Sequence, residues 1–166
     1  SMGTFDGPGL RYVVFLQGCP FKCLYCANPD TIDPVGESKE TDASYILEQA
    51  ISMKPFFGKR GGITFSGGEP TVQAEALVPL ASALKERGYH LMAFTGYTLE
   101  QLLQKPECAA FLEKLDLLVD GPFIEAKKSL DLRFRGSRNQ RILNIPASRE
   151  NGWQAVLDEL NEAVER

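Results

Sequence analysis

The sequence has 166 residues, of which 43% are hydrophobic and 24% are charged; this is typical of one globular domain over residues 1–166 and excludes disordered, collagen-like and repeat proteins. Its 18 Lys and Arg against 22 Asp and Glu give a net charge of −4, which argues against a nucleic-acid partner held by bulk positive charge. Because the longest apolar run is strand-sized and the N-terminus lacks the pattern of a secretory signal, we expect no membrane partner and a cytoplasmic location.

Three elements are predicted in the first part of the chain. Residues 11–16 are rich in β-branched and aromatic side chains, which predicts a strand. Asp42 is a suitable N-cap for a helix that Pro55 ends. The predicted apolar face of this helix consists of Ile46, Leu47, Ala50 and Ile51. A second, short strand is predicted over residues 62–66, between glycines.

The middle of the chain continues the alternation of helix and strand. Apolar residues at helical spacing predict a helix over residues 72–87, with Gly88 as its C-terminal cap. A third strand is predicted over residues 90–94. Residues 99–114 are expected to form one or two helices divided by Pro106.

The last part of the chain contains a long predicted loop. A fourth strand over residues 117–119 leads into the loop 120–139, and a fifth strand is predicted over residues 141–145. A final helix is expected to run to about Glu165. Its predicted apolar side consists of Trp153, Val156, Leu157, Leu160 and Val164.

This alternation of strands and helices predicts an α/β fold with parallel strands joined by right-handed crossovers. A closed eightfold barrel normally needs about 250 residues, so the chain is expected to form an incomplete barrel or an open sheet. In either fold a ligand binds at the carboxyl ends of the strands. The segments that follow the predicted strands are the cysteine-containing loop and residues 66–70, 95–97 and 120–122.

Three of the four cysteines form a Cys-x3-Cys-x2-Cys group directly after the first strand: Cys19, Cys23 and Cys26. Three thiolates at this spacing can bind three corners of an iron–sulfur cube and leave the fourth iron open. A structural zinc site needs four protein ligands, and both Cys108 and the single histidine, His90, are remote in sequence. The spacing therefore favours a cluster over zinc, and Cys108 is predicted to be an inert buried thiol.

The cysteine group and the following Gly-Gly-Glu segment resemble those of the radical S-adenosylmethionine enzymes. The first half resembles the activating enzymes of pyruvate formate-lyase, and the resemblance lies in residues 3–11, 17–20, 23–31 and 64–69. Segments of the second half resemble the activating proteins of anaerobic ribonucleotide reductase, namely residues 94–98, 118–124 and 135–141. Both groups are glycyl-radical enzyme activases. The resemblance implies an incomplete (β/α) barrel of the radical S-adenosylmethionine type, with mostly parallel strands.

The resemblance also implies a reaction. Cys19, Cys23 and Cys26 would hold a 4Fe-4S cluster whose open iron binds the amino and carboxylate groups of S-adenosylmethionine. Reductive cleavage of this cofactor would give a 5'-deoxyadenosyl radical that removes hydrogen from a glycine of a partner enzyme. A reduced flavodoxin or ferredoxin is the implied electron donor.

The resemblance assigns cofactor binding to Tyr25, Cys26, Ala27, Asn28, Gly67, Gly68, Glu69, Thr95 and Asp120. Glu69 has two open roles, because a carboxylate at this position can bind the cofactor amine or cap the following helix. Two positions differ from the pyruvate formate-lyase group, which has Asp where this chain has Phe94 and Lys where it has Pro122. Arg133 is the predicted replacement for that Lys, with Arg135 as the alternative, since guanidinium binds carboxylate bidentately.

Several functions stay open on the sequence alone. Pyruvate formate-lyase is the first-choice target, and anaerobic ribonucleoside-triphosphate reductase is the alternative. A radical reaction on a small molecule ranks third, because little chain is left for further substrate-binding segments. A non-catalytic metal-binding or electron-transfer module is also retained, because the cysteine loop alone does not require catalysis.

Overall fold

The computed structural model describes residues 2–23, 26, 28–35 and 39–162, and these residues form an open six-stranded sheet. The strands are β1 (Met2–Gly3), β2 (Arg11–Leu16), β3 (Gly62–Gly67), β4 (Leu91–Phe94), β5 (Leu117–Asp120) and β6 (Arg141–Asn144). Their order in the sheet is their order in the chain. Strands β2 to β5 are parallel, and the edge strands β1 and β6 are antiparallel to their neighbours. The prediction of an incomplete α/β barrel with mostly parallel strands is confirmed.

The α-helices that connect or follow these strands in the described ranges are α1 (Ala43–Met53), α2 (Ala74–Glu86), α3 (Leu99–Leu102), α4 (Ala109–Lys114) and α5 (Ile145–Glu150). As predicted, the side chain of Asp42 caps α1 by accepting a hydrogen bond from the Ser44 backbone N–H. Pro106 separates α3 from α4, which confirms the expected division. Within the described ranges, no helix is both long and apolar enough to cross a membrane.

The helices cover one face of the sheet and form the main core. This core joins strand residues such as Ile63, Phe65 and Leu91 to Leu84 of α2 and Phe111 of α4, all of them fully buried. The opposite, concave face has a smaller core of Met92, Leu117, Val119 and Ile142. Ile51, which the helical pattern assigned to the core, is instead 45% exposed on α1.

The predicted final helix is wrong. Helix α5 ends at Glu150, and Gly152 and Trp153 then adopt positive φ angles of 66° and 63°, which turn the chain back. The segment that follows runs extended beside β6, where the Asn144 N–H donates to the Val156 carbonyl at 2.9 Å. Its apolar side chains therefore belong to an extended segment rather than to one face of a helix. The predicted end of the helix at residue 165 lies outside the described residues.

Strand β6 runs antiparallel to β5. A parallel pair needs a crossover connection, usually a helix. The connection between Asp120 and Arg141 contains only the short 3-10 turn Glu125–Lys127. Loop 121–140 therefore returns to the same end of the sheet, and it folds over the carboxyl ends of the parallel strands.

Candidate functional site

A cavity of about 440 Å³ opens where the parallel strands end. Parallel strands bring the loops that follow them to one edge of the sheet. Three of these loops contribute Cys19, Phe21, Cys23, Cys26, Ser66, Gly67, Gly68, Glu69, Phe94, Thr95 and Gly96 to the wall. The end of β5 and loop 121–140 contribute Val119, Gly121, Phe123, Phe134, Arg135, Gly136 and Gln140, and Phe5 lies at the rim. The structure therefore brings the three cysteines and the Gly-Gly-Glu segment together.

The cysteine loop leaves β2 through a turn at Gly18. Gly18 has a φ of 96°, a conformation that favours glycine, and its N–H donates to the Thr31 carbonyl at 2.7 Å. The three cysteines of the loop are free thiols and are half-buried. Tyr25 and Ala27, two residues that the resemblance assigns to the cofactor, lie outside the described residues.

The thiols of this cavity fit an iron–sulfur cluster. Cluster irons are bound by cysteine thiolates, and three free thiols line this one wall. In the described ranges, no three His, Cys, Asp or Glu side chains are placed to hold a single metal ion, whereas each cysteine of a cubane binds a different iron. Burial raises the pKa of the Cys19 thiol, against a backbone hydrogen bond from Phe21, and the charge of Glu69 raises it further. A cationic group at the site would offset these effects and favour the thiolate.

The two remote candidates for a fourth ligand do not reach this loop. Cys108 is fully buried in the main core, where its Sγ lies 3.6 Å from the Thr71 carbonyl, so it is the inert thiol that the sequence predicts. His90 lies just before β4, at the opposite end of the sheet, and its Nδ1 is 3.1 Å from a guanidinium nitrogen of Arg11. The described part of the cavity thus offers three cysteines and no fourth cysteine or histidine, which is the donor set of a cluster with one open iron.

Gly67 and Gly68 bring the backbone of the β3 loop against the cysteine loop. Gly67 has a φ of 88°, and the Gly68 N–H donates to the Leu16 carbonyl at 2.7 Å. A Cβ on Gly68 would lie 2.3 Å from the Gly18 carbonyl oxygen. A side chain at position 68 would therefore push the two loops apart.

Glu69 places a buried carboxylate in the cavity wall. Its Oε1 accepts hydrogen bonds from the Thr71 N–H, the Thr71 hydroxyl and the Thr95 hydroxyl, at 3.2, 2.7 and 2.8 Å. Its Oε2 accepts from the Gly96 N–H at 2.8 Å. The bond to the Thr71 N–H caps the turn Pro70–Gln73, which is one of the two roles that the sequence leaves open. No cation of the described residues forms an ion pair with Glu69, so its charge can also serve a cationic ligand.

Asp120 lies at the end of β5, but its carboxylate is already engaged within the protein. Its Oδ2 accepts from the Leu99 N–H at 2.7 Å, and Arg141 Nε donates to its Oδ1 at 2.9 Å. Hydrogen bonds with Asp120 and Glu100 raise the pKa of Arg141 above its ordinary value. The hydrogen bond from Arg141 lowers the pKa of Glu100. Asp120 is not part of the cavity wall. Sequence patterns did not reveal the role of Arg141, because its pairing with Asp120 depends on the register between β5 and β6.

Asn28 and Arg133, which are predicted from the sequence to bind the cofactor, do not line the cysteine cavity. Asn28 lines a separate groove beside α1 and α2, where its carbonyl accepts from the Thr31 hydroxyl at 2.6 Å. Arg133 lines a different cavity, at the amino-terminal ends of the parallel strands. The alternative, Arg135, is the one that lines the cysteine cavity.

Arg135 is held by backbone carbonyls alone. Its three nitrogens donate to the carbonyls of Arg133, Gln140 and Asn161 at 3.2–3.3 Å, and burial lowers its pKa. None of the carboxylates in the described ranges forms an ion pair with it. Phe134, whose φ is 52°, separates Arg133 from Arg135 and helps to direct them to opposite ends of the sheet. The cavity therefore has a cation without an anionic partner in its wall.

Aromatic side chains form much of the remaining wall. Phe21 packs edge-on against Tyr97, with ring centroids 4.9 Å apart, and a Cβ on Gly96 would lie 2.5 Å from the Phe21 ring. Phe94 and Phe134 cover the small core of the concave face beside the cavity. The sequence gives no local signal for these contacts, because they join loops that are far apart in the chain. The cavity thus combines polar groups with a mainly apolar wall.

The chain matches the family model described as "4Fe-4S single cluster domain" over residues 5–143. It is also similar to curated pyruvate formate-lyase-activating enzymes. It is 47% identical to the one from Staphylococcus aureus strain USA300 over 149 residues, which are 87% of this chain and 59% of the relative. It is 47% identical to the one from Streptococcus mutans serotype c over 91 residues, which are 54% of this chain and 35% of the relative.

The chain therefore spans only about a third to three fifths of the length of these relatives. The staphylococcal alignment covers 87% of the chain and so includes most of its second half. Neither relative is an activating protein of ribonucleotide reductase, and the resemblance of the second half to those proteins is not shown by them.

Proposed function

The chain belongs to the 4Fe-4S single cluster domain family, and we propose that it is a radical S-adenosylmethionine activase that installs a glycyl radical in a partner enzyme. The proposed partner is pyruvate formate-lyase, because the relatives carry its name. One structural observation carries the proposal. Three free thiols, the Gly-Gly-Glu segment and an unpaired arginine meet in one cavity at the carboxyl ends of parallel strands.

Three cysteines hold the cluster in this proposal. Cys19, Cys23 and Cys26 each bind one iron, so one iron stays open for a second ligand. When bound, the cluster supplies an electron and S-adenosylmethionine supplies the sulfonium bond, which together provide a carbon radical able to take hydrogen from glycine. The chain itself positions these groups and keeps water away from them.

Opposite charges in the wall match the amino acid part of S-adenosylmethionine. Glu69 has no ion-pair partner in the described ranges and suits the amino group, while Arg135 suits the carboxylate. Thr95 fixes the orientation of Glu69 through the 2.8 Å hydrogen bond. Gly67 and Gly68 allow the ligand to approach the backbone, because neither has a Cβ.

The remaining residues that the resemblance assigns to the cofactor have less structural support than Glu69 and Arg135. The roles of Tyr25, Ala27 and Asn28 at the cofactor stay predictions. In this proposal Asp120 does not contact the cofactor. Its carboxylate accepts hydrogen bonds from the Leu99 N–H and Arg141, and Asp120 does not line the cavity. We propose that a reduced flavodoxin or ferredoxin in the cytoplasm supplies the electron, because cluster reduction needs a strong donor.

One observation favours a second candidate partner. Two segments that resemble the activating proteins of anaerobic ribonucleotide reductase, residues 118–124 and 135–141, contribute Phe123, Arg135 and Gln140 to the cavity wall. A substrate that enters this cavity meets that part of the chain. Anaerobic ribonucleotide reductase is therefore the second partner to test.

The test is anaerobic reconstitution with iron and sulfide, reduction, and addition of S-adenosylmethionine with each partner in turn. We expect 5'-deoxyadenosine and a glycyl radical signal with pyruvate formate-lyase. A radical on the reductase alone would move the target to that enzyme. A full cluster without cofactor cleavage would refute the activase proposal and leave a non-catalytic metal-binding or electron-transfer module.

A further inference from the structure

Positive charge is concentrated in one segment of this acidic chain. Residues 125–138, here called the basic hairpin, contain Lys127, Lys128, Arg133, Arg135 and Arg138 against two carboxylates, a net charge of +3. Because the whole chain has a net charge of −4, the residues outside this segment have a net charge of −7. Four of these five cations are exposed, and Arg135 is half-buried at the cysteine cavity.

The basic hairpin has a fixed backbone. Lys128 pairs with Ser137 in an antiparallel bridge, and the Arg138 N–H donates to the Lys127 carbonyl at 2.8 Å. The Gln140 side chain ties the hairpin down by accepting from the Ser137 N–H at 3.1 Å and donating to a carbonyl of the loop at 3.1 Å. A preformed surface of this kind loses little conformational entropy when a partner binds.

Two cations of the basic hairpin, Lys127 and Arg138, are neighbours across the hairpin. The backbone hydrogen bond from Arg138 to Lys127 brings these two residues together at the end of the turn Glu125–Lys127. Neither side chain forms an ion pair with a carboxylate of the residues that the structure describes. Both side chains are exposed, so they are available to an anionic group of a partner protein.

Exposed apolar side chains accompany this charge. Leu130 at the tip of the hairpin is 88% exposed, and Phe5 at the cavity rim is 89% exposed. A surface that combines apolar anchors with a basic rim suits a folded protein better than a nucleic acid, because the −7 on the rest of the chain repels a polyanion.

We propose that the basic hairpin and Phe5 form the docking surface for an acidic segment of the protein that bears the reactive glycine. This inference rests on the proposed function and names the surface that recognises its protein substrate. The geometry supports it because the same loop that carries the charges also supplies Phe123, Phe134 and Gly136 to the cavity wall. A segment bound to the hairpin lies at the cavity mouth, where the proposed chemistry takes place.

The test compares two charge-reversal variants with the same change in net charge. The first is Lys127→Glu with Arg138→Glu on the basic hairpin. The control is Lys59→Glu with Arg149→Glu, two exposed residues away from the cysteine cavity. The dissociation constant for pyruvate formate-lyase is measured anaerobically with each reconstituted protein at low and at physiological salt. Partner-free cleavage of S-adenosylmethionine is measured in parallel.

We expect the hairpin variant to bind the partner at least roughly tenfold more weakly at low salt, with a smaller dependence on salt. The control should bind within about twofold of wild type, and partner-free cleavage should be the same in all three proteins. A Lys127→Gln, Arg138→Gln variant should show an intermediate loss without new repulsion, which guards against misfolding of the reversed hairpin.

Other results would contradict the docking surface in distinguishable ways. Equal partner binding by wild type, hairpin variant and control would overturn the docking surface and leave the activase function intact. Failure of the wild-type protein to bind or activate either candidate partner would refute the proposed function, and the docking surface with it. A single-stranded RNA that binds wild type as tightly as the protein partner does, and loses binding in the hairpin variant, would show that the occupant is a nucleic acid.

Discussion

The two ends of the sheet differ in how their polar groups are satisfied. At the amino-terminal end, Arg11 is fully buried and donates to Thr64 Oγ1 at 2.6 Å and to the Ile63 carbonyl at 2.8 Å. Lys85 pairs with Asp116 at 2.9 Å, and the same carboxylate accepts from a backbone N–H at the start of β4. Burial lowers the pKa of Arg11 to about 10, and the charges of Asp116 and Asp6 act against this change. Arg11 and Asp116 thus have opposite charge nearby within the protein, although the cavity at this end is larger, about 610 Å³.

The carboxyl-terminal end leaves groups without a protein counterpart. Its three cysteines are free, Glu69 has no cation, and Arg135 has no carboxylate among the residues that the structure describes. The state of the charges, rather than the size of the cavity, distinguishes the end of the sheet to which we assign the proposed function. Each variant below is designed to break or sharpen this difference.

The largest effect is expected from a cysteine of the motif. Cys23→Ala removes one of the three proposed cluster ligands, so the reconstituted protein should lose most of its iron, and cleavage of S-adenosylmethionine should fall by roughly a hundredfold or more. The matched control, Cys108→Ala, removes a buried thiol of the core and should cost only about 1 kcal/mol of stability. Iron content and cleavage rate check both variants, and an iron-replete, active Cys23→Ala protein would remove Cys23 from the ligand set.

The next largest effect is expected from disrupting the contact between the β3 loop and the cysteine loop at Gly68. Gly68→Ala places a Cβ 2.3 Å from the Gly18 carbonyl, so we expect a loss of about 1–3 kcal/mol and weaker cluster incorporation, since the cysteine loop must move. Gly88→Ala is the control: its φ of 78° makes alanine strained, but no atom lies within 4 Å of the added Cβ. Gly88→Ala should lose stability and keep a full cluster, as measured by iron analysis and denaturant unfolding.

Arg133 and Arg135 allow a direct comparison of the two ends of the sheet, because each lines the cavity at a different end. Arg135→Met should weaken S-adenosylmethionine binding roughly tenfold, because it removes the cation that the cofactor carboxylate would meet. Arg133→Met should leave that affinity unchanged, because Arg133 lines the opposite cavity. Equilibrium binding to the reconstituted proteins measures both. The reverse pattern would place the cofactor carboxylate at Arg133.

The smallest effect is a pH dependence of stability at the amino-terminal end. Burial, and then the charge of Arg11, lower the pKa of His90 below 6.5, against the charge of Asp116. The groups around it are Arg11, Lys85, Asp116 and Asp158. The folded protein thus keeps His90 neutral at a pH where the unfolded chain binds a proton, so stability is lost as the pH falls below 6.5 toward the folded pKa.

His90→Gln should flatten this part of the stability profile, because the chain has no other histidine. Denaturant unfolding of wild type and variant between pH 5 and 8 measures the difference, a range in which other side chains titrate little. Cluster content at neutral pH should be the same in both. A variant with the wild-type pH slope would show that His90 does not titrate on unfolding.

Local patterns predicted the centre of the molecule. Strands β2 to β5 and helices α1 and α2 follow from side-chain alternation and helical spacing, and the Asp42 cap follows from its residue type. The cysteine spacing predicted a cluster site after β2, and the structure places all three thiols on one cavity wall there. These features depend on residues close together in the chain, which is why the sequence shows them.

The features that the sequence did not show depend on contacts between distant segments. Residues 153–160 have apolar side chains at helical spacing, yet the turn at Gly152 directs them along β6. Asp120 follows a strand as a ligand residue would, but the antiparallel register gives it Arg141 as a partner. The choice between Arg133 and Arg135 depends partly on the backbone conformation of Phe134, which no spacing rule reveals.

The most direct test of the account is the electron paramagnetic resonance spectrum of the reduced, reconstituted protein with and without S-adenosylmethionine. The account predicts a 4Fe-4S signal that changes when the cofactor is added, because three cysteines would leave one iron open in the cavity that Glu69 and Arg135 also line. A cluster signal that is identical with and without the cofactor would contradict it, since the fourth iron would then be closed to this ligand.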